Sequence, residues 1–462
     1  MKIRRNDGFS TLYLILIMSS LLFLILMAFE AACASAAASA AENICLSAGR
    51  SVLSEYQPAL YSRYGIFALR ARDDDLSDIA SFYIRSSLEG RGVLRMGLEN
   101  CEISTDLFPG LGTEAIKPQI VEAGKLCAAK ALINETELAA LLGNIADAEK
   151  NSSAGASESL NSLNELKDYS DAEPPCEDPE TGEMTVGKPD SPEAKATRKQ
   201  ARELLKRYKE ATDPDAAAGP AETGKSLKNY SGQTLPSADL GVARNVSALL
   251  SGGVASAGGD RVFIDEYILK ACSDHSQKSA EGALELETEY ILYGNPGDKD
   301  NLAAVKREIF GIRFAEDLAA IFADPEKMSE ISSAAAAFSF IPPPVAIFIL
   351  ASVEAGIQAK GELGRIMSGE TVEIVPAVPG FGSYRDYLRV LLLMQQDDTK
   401  LARLMDIMQL EVCRISGKSF SFRDYAYGFE LNAEFEDPVR FARFLRIGGS
   451  RNETIAQIHS YR

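Results

Sequence analysis

The first apolar block of the chain has no break. From Phe9 to Phe29 there is no charged residue, no proline and no glycine. As a helix, a segment of that length rises about 31 Å, close to the hydrocarbon thickness of a bilayer, so residues 9–29 are predicted to be a transmembrane helix whose partner is lipid. Lys2, Arg4 and Arg5 precede it, Glu30 and Glu42 come after it, and the next basic residue is Arg50. That asymmetry predicts a cytoplasmic N-terminus over 1–8 and export of the chain beyond the span, in a single-pass membrane protein. No proline or glycine occurs as far as Ala48, and Glu30–Ala48 is rich in Ala and Ser. The helix is therefore expected to continue outward as a stalk over 30–54. Ala28, Ala32, Ala36 and Ala40 recur every fourth residue and make a smooth helix-packing face. Such a face serves either packing against the protein's own ectodomain or assembly with a second helix.

Three kinds of processing compete with a retained anchor. Ala32-Cys33-Ala34 has the small-x-small form of a signal-peptidase site, but the apolar run before it exceeds that of a signal peptide. Ala31-Ala32-Cys33 places a cysteine as a lipoprotein would, yet Glu30 stands where an apolar residue belongs. Gly8-Phe9, directly before the apolar run, is a candidate prepilin-type processing site, with Tyr13 where pilins carry a glutamate.

Beyond the stalk, residues 55–150 are expected to form the first part of an ectodomain. Tyr64–Leu69 is predicted to be a short strand. Asp73, Asp74 and Asp75 precede Leu76, Ile79, Phe82 and Tyr83, the pattern of acids in the first turn of an amphipathic helix rather than of a calcium loop. Residues 94–107 are predicted to be strand. Residues 113–150 read as two helices, the second carried by Leu138, Leu141, Leu142 and Ile145. Residues 151–235 are rich in Ser, Glu, Asp, Pro, Gly and Lys and are expected to be a low-complexity linker or partly disordered insertion. Inside it lies a basic, helix-prone patch, Thr197–Lys209, read as a solvated, self-paired helix.

The second part of the ectodomain is placed over 236–462. The pattern predicts helices over 262–272, 301–322, 384–391 and 401–412, with strands over 284–292, 420–435 and 455–461. Ala334–Val353 is a second uncharged stretch with Pro342-Pro343-Pro344 at its centre. Three prolines break a helix, so two shorter buried helices are expected, with a second membrane segment as the competing reading.

Composition narrows the function classes. With 48 Lys and Arg against 66 Asp and Glu the net charge is −18, which argues against nucleic acid as a partner. His275 and His459 are the only imidazoles, far apart in sequence and expected at the surface. The seven cysteines (Cys33, Cys45, Cys101, Cys127, Cys176, Cys272 and Cys413) form no CxxC pair. The glycines at 252, 253, 258 and 259 lack the Lys-Ser/Thr of a phosphate loop. No nucleophile elbow, kinase or dinucleotide signature is present. No catalytic, cofactor-binding or metal-binding residue is therefore assigned, and no small-molecule substrate is expected.

Several segments, taken in order, are similar to those of an uncharacterised bacterial family with one N-terminal span and a large exported domain of unknown function. They are Gly8 with the apolar run to Glu30, Glu55-Tyr56, Tyr64-Gly65-Ile66-Phe67, Tyr290-Ile291-Leu292-Tyr293-Gly294, Asn301-Leu302, and the apolar segment around residue 342. Tyr384-Arg385-Asp386-Tyr387-Leu388 and Arg403-Leu404-Met405-Asp406-Ile407-Met408-Gln409 complete the set. The similarity spans the chain apart from 151–235. It implies a pseudopilin-like N-terminus and protein partners in a tight-adherence (Tad/Flp-type) pilus or secretion apparatus, with no family catalytic residue to carry over.

The expected fold is a helix-rich α+β ectodomain behind a transmembrane helix and stalk. The expected role is a non-enzymatic accessory or minor-pilin-like component. A stand-alone anchored binding or sensory ectodomain is the alternative, and an extracytoplasmic enzyme the third reading.

Overall fold

The computed structural model describes residues 7–89, 96–108, 110–131, 164, 166–167, 176–177, 184–185, 192–219, 224–227, 234–239, 259–279, 282–339, 341–373, 382–438 and 450–461. In chain order the elements are α1 (Asp7–Leu53), α2 (Pro58–Tyr64), β1 (Leu69–Arg70), α3 (Asp73–Leu88), β2 (Gly97–Ser104) and α4 (Thr113–Ala131). Then come β3 (Cys176–Glu177), β4 (Met184–Thr185), α5 (Pro192–Thr212), α6 (Pro214–Ala218), α7 (Pro236–Asp239), α8 (Gly259–Ala271) and α9 (Glu287–Tyr293). The rest are α10 (Asp298–Ala323), α11 (Pro325–Ala335), α12 (Pro343–Met367), α13 (Tyr384–Met394), α14 (Asp397–Ser416), β5 (Tyr425–Ala426), β6 (Gly428–Pro438) and β7 (Ser450–Ser460). The fold is helix-rich α+β. It divides into two compact units, Met1–Gln119 with Val412–Arg462, and Ile120–Glu411.

Unit 1 is built on a three-stranded antiparallel sheet in the order β2-β6-β7. Alternation along β6 puts Phe429, Leu431, Ala433 and Phe435 on one face, fully buried. Cys101 and Ile103 of β2 and Ile455 of β7 share that face. Against it pack Ala41, Ile44, Cys45, Ala48 and Val52 of α1, and Leu76, Ala80 and Ile84 of α3. The acids at 73–75 do stand in the first turn of α3. Asp73 also accepts from Thr105 Oγ1 (2.7 Å), and Ser77 Oγ accepts from the Ile103 N–H (2.8 Å), tying the helix to β2.

Helix α1 and strand β7 approach closely. Gln457 Nε2 donates to the Glu42 carbonyl (3.1 Å) and the Tyr461 hydroxyl to that of Leu53 (2.5 Å). Between these points a Cβ at Gly49 would fall on the ring of His459, so the glycine lets the helix and the strand meet. Gly49→Val is therefore expected to destabilise unit 1 by about 1–3 kcal/mol through overpacking. His459→Ala in the same chain should return part of that loss, read as a positive coupling in chemical denaturation.

The structure corrects three expectations. Tyr64–Leu69 is not a strand: Pro58 opens α2, Gly65 closes it at φ 69°, and only Leu69–Arg70 pairs, with β5. Residues 284–292 are not a strand either. Glu287–Tyr293 is helix, and all seven of its residues are buried. With both faces covered, apolar alternation carries no information about period. Third, the helix expected over Thr197–Lys209 is present but is not solvated all round. It is the 21-residue helix α5, with Ala201, Leu204, Leu205 and Tyr208 packed with α12 residues such as Val345 and Ile349 in one apolar cluster. The two backbones come so close that a Cβ at Gly356 would lie 2.5 Å from the Ala211 carbonyl oxygen.

The triple proline starts a helix. Pro342 caps α12 and the next two rings occupy its first turn, where no backbone N–H is needed. Helices do flank the prolines, but α11 is mostly exposed and α12 runs for 25 residues. By length and composition α12 could cross a membrane, yet 44% of its apolar window is buried within the protein. Its inward side packs on α5, α10 and α11, as the core helix of a globular unit does. The predicted helix at Leu138–Ile145 lies outside the described residues.

Candidate functional site

Two features concentrate the chemistry of this chain: the ends of α1 and a buried polar network in unit 2. Helix α1 has two halves. Thr11–Phe29 is exposed at every residue. Burial begins at Cys33 and repeats at Ala37, Ala41, Ile44, Cys45, Ala48 and Val52, the i, i+4, i+7 spacing of one helix face. The N-terminal half is therefore a helix long and apolar enough to span a membrane, with its apolar side chains uncovered. Gly8 and Phe9 lie in its first turn. Ala28, Ala32 and Ala36 are exposed and Ala40 is half-buried, so the alanine stripe is not the face that packs on the ectodomain. Cys33, Ala37 and Ala41 take that place, one residue further round.

His459 is not a surface residue. It is buried on β7 beside Phe429, with ring centroids 5.4 Å apart. Burial, assisted by nearby Arg50, holds its pKa below the usual imidazole value. His275 is half-buried and lies edge-on to Tyr384 (5.5 Å).

In unit 2 the segments that stand out in the sequence meet around α9. Tyr290–Tyr293 is the second half of that buried helix, and Gly294 ends it in the left-handed conformation at φ 68°. The Arg403 guanidinium of α14 lies against Gly294. From Nη1 it donates to the carbonyls of Ile291 (2.9 Å) and Leu292 (2.5 Å). It thereby caps a helix end that has no access to water. Asp406, one turn on, accepts from the Tyr290 hydroxyl (2.7 Å) and the Ser237 N–H (2.9 Å). Gln409 donates to the Thr234 carbonyl (3.0 Å). Asn301 of α10 exchanges two hydrogen bonds with the backbone of Asn295, both 2.9 Å.

The Tyr384–Leu388 segment closes the other side. Tyr384 donates its hydroxyl to Glu289 (2.6 Å), which also accepts from the His275 N–H (2.8 Å). Arg385 pairs with Asp274 (2.9 Å). Asp386 forms a capping box with Ser383 at the start of α13. Glu287 accepts from the Ser273 N–H (2.9 Å), and Asp298 from the N–H groups of Lys225 (2.9 Å) and Glu285 (3.0 Å). Nearby, Lys400 is wholly buried and pairs with Asp265 (2.5 Å) and Asp397 (3.3 Å).

Burial dominates the electrostatics. It pushes the Glu289 carboxyl up to about 7, although the Tyr384 and His275 donors oppose the shift. On the α10–α12 side Arg313 meets Glu316 (2.5 Å), Glu362 (2.5 Å) and Asp317 (3.6 Å). Three carboxylates share one guanidinium there. Burial, with repulsion from Asp317 and Glu362, outweighs Arg313 and lifts Glu316 to about 8. Carboxyls raised in the folded state bind protons more tightly than in the unfolded chain, so their contribution is complete at low pH and is lost as pH rises through 7 to 8. His459, lowered when folded, works in the opposite sense, and its contribution is lost as pH falls below about 6.5. From pH 8 down to 5.5, amide protection relative to the intrinsic exchange rate at each pH is expected to rise in α9 and α10 while falling in β7. Parallel changes in the two units would contradict this.

Chemically this network is a scaffold. Glu287, Glu289, Asp298 and Asp406 each accept from a backbone N–H, and the Arg403 side chain saturates two carbonyls. Among the described residues no three His, Cys, Asp or Glu side chains converge to hold a metal ion. The segments are visible in the sequence but their convergence is not, because hydrogen bonds from side chain to distant backbone leave no local pattern.

The fold therefore defines a class: a helix-rich α+β protein with a protruding apolar N-terminal helix. Within that class, the chain belongs to the DUF5702 family of unknown function, whose profile matches residues 198–377 and 379–437, just over half of it. The match begins inside α5, so part of the supposed insertion belongs to the family's common region, and it does not include α1. No curated protein and no solved structure matches the chain.

Proposed function

We propose that this protein is a membrane-anchored, non-enzymatic accessory or minor-pilin-like component of a bacterial Tad/Flp-type pilus or secretion apparatus. Its N-terminus is cytoplasmic and both units are exported. The observation that carries this reading is the division of α1. One continuous 47-residue helix offers an uncovered apolar half and commits its other half to the sheet of unit 1. A pilin-type subunit uses its N-terminal helix in this way, with the free half available to lipid or to neighbouring helices. Lys2, Arg4 and Arg5 before the apolar half support the orientation. The use of the unit 2 carboxylates as helix caps and backbone acceptors supports a role without catalysis.

Protease shaving of intact protoplasts carrying a C-terminal epitope tag tests the topology. Loss of the tag, with a retained fragment starting at residue 1, is the expected result. A protected tag would place the ectodomain on the wrong side. Pulldown after mild detergent extraction then tests the role. Co-purification of pilus or secretion components is expected, whereas their absence would favour an anchored binding or sensory protein acting alone.

A further inference from the structure

Five of the seven cations of helix α5 form a single line. Lys195, Lys199, Arg202, Lys206 and Lys209 succeed one another at steps of four, three, four and three, and all five are exposed. This line faces away from the residues that pack on α12 and extends about 21 Å. Like charges at these spacings repel and weaken the helix that bears them. The adjacent acids offset little, since Lys206 and Glu210 approach only to 3.8 Å with both side chains largely exposed.

The outward face of the unit 1 sheet has the opposite character. Glu102 of β2 and Glu430, Glu434 and Glu436 of β6 point away from the core. The outward residues described on all three strands include no lysine or arginine. Glu430 and Glu436 stand about 20 Å apart along the strand, matching the cation line. Directly across from Glu430 is Ile458, 65% exposed, an apolar spot suited to the alkyl stems of Lys and Arg. Each face is self-repulsive alone, and each supplies the charge the other lacks.

We propose that α5 of one chain docks across the outward β2-β6-β7 face of a second copy. The two faces differ, so the contact is heterologous and propagates head to tail, unlike a closed two-fold dimer. Such docking goes beyond the role of an anchored component and stands without it, because it requires neither a membrane nor a pilus partner. Net charge of −18 disfavours anionic lipid as the occupant of the cation line. Between copies that long-range repulsion is screened beyond about 8–10 Å at physiological salt, while contact pairs persist.

The test uses full-length protein in uncharged detergent micelles, with mass followed by light scattering over a concentration series at low salt. The wild type is expected to grow past a dimer and to dissociate at high salt. Lys199→Glu/Arg202→Glu/Lys206→Glu impairs the helix, and Glu430→Lys/Glu434→Lys impairs the sheet. Each alone should weaken association by at least about 100-fold, because like charges then face each other. Mixed in equal amounts, the two variants present complementary charge at both contacts, intact helix to intact sheet and reversed helix to reversed sheet, so the mixture should associate where neither component does. The neutral set Lys199→Gln/Arg202→Gln/Lys206→Gln should give a smaller loss and guards against misfolding of the reversed helix. A wild type that stays monomeric, variants that assemble like the wild type, or a mixture no different from its components would each overturn the proposal. Association that appears only when anionic phospholipid is added would assign the line to head groups and overturn it as well.

Discussion

Replacing Arg403 with alanine is expected to remove a large part of the stability of unit 2, by about 3–5 kcal/mol. Arg403 is 2% exposed. Its loss leaves the Ile291 carbonyl buried without its Arg403 donor, at about 1–3 kcal/mol, leaves the Leu292 carbonyl with Gln395 Nε2 alone (2.9 Å), and opens a cavity where the guanidinium lay against Gly294. A domain of ordinary stability has about 5–15 kcal/mol in total, so this change alone should shift the denaturation midpoint severely. Arg403→Lys keeps the charge but not the planar fork, and should recover only part of the loss. Arg207→Ala is the control. Its pair with Glu203 (2.8 Å) is half-exposed on α5, and its removal should cost under about 0.5 kcal/mol. An Arg403→Ala chain whose stability stays within about 1 kcal/mol of the wild type would show that the end of α9 is held by other groups.

Deleting residues 1–29 is expected to move the protein from the membrane fraction to the soluble one while unit 1 stays folded. Every residue from Thr11 to Phe29 is exposed, and the first buried position of α1 is Cys33. Residues 11–29 therefore add no buried packing to the sheet and leave their apolar area available to a bilayer. A gentler version, Leu16→Lys with Leu22→Lys, should also block insertion, since a lysine near the centre of a span costs about 2.5–3.5 kcal/mol. Sedimentation after cell lysis reads the first effect, and hydrogen exchange over β6 and β7 reads the second. Loss of protection in those strands would mean that the protruding half supports unit 1 after all.

Much of the scaffold is legible from residues alone, for identifiable reasons. The predicted helices at 301–322, 384–391 and 401–412 correspond to α10, α13 and α14, because each has one polar side and thus a clear period. Strands β6 and β7 are legible because their sheet is buried on one face and wet on the other, which forces alternation. Helix α9 fails the same test because it is buried on all sides. Helix α5 is legible as a helix but not as a packed one, because its Ala, Leu and Tyr stripe is thin and sits in charged surroundings. The stripe itself, with Pro192 at the helix start, is the available signal. For the candidate site, the Tyr290, Tyr384 and Arg403 segments stand out in the sequence, but their roles as helix caps and carboxylate donors do not.

Composition and backbone propensity alone dictate the apolar length of residues 9–29, the unbroken helix beyond it, and the separation of charge along the chain. These are local properties, complete within a short window. Long-range packing settles which face of α1 meets the sheet, through the close contact of Gly49 with His459. It makes α12 a core helix, and it joins Arg403, Asp406, Glu289 and Tyr384 in one network around α9. It also gathers the acids of β2 and β6 on one side of a sheet. Each of these depends on residues far apart in the chain being brought together, and the free energy of such contacts comes from burial that no local window of sequence contains.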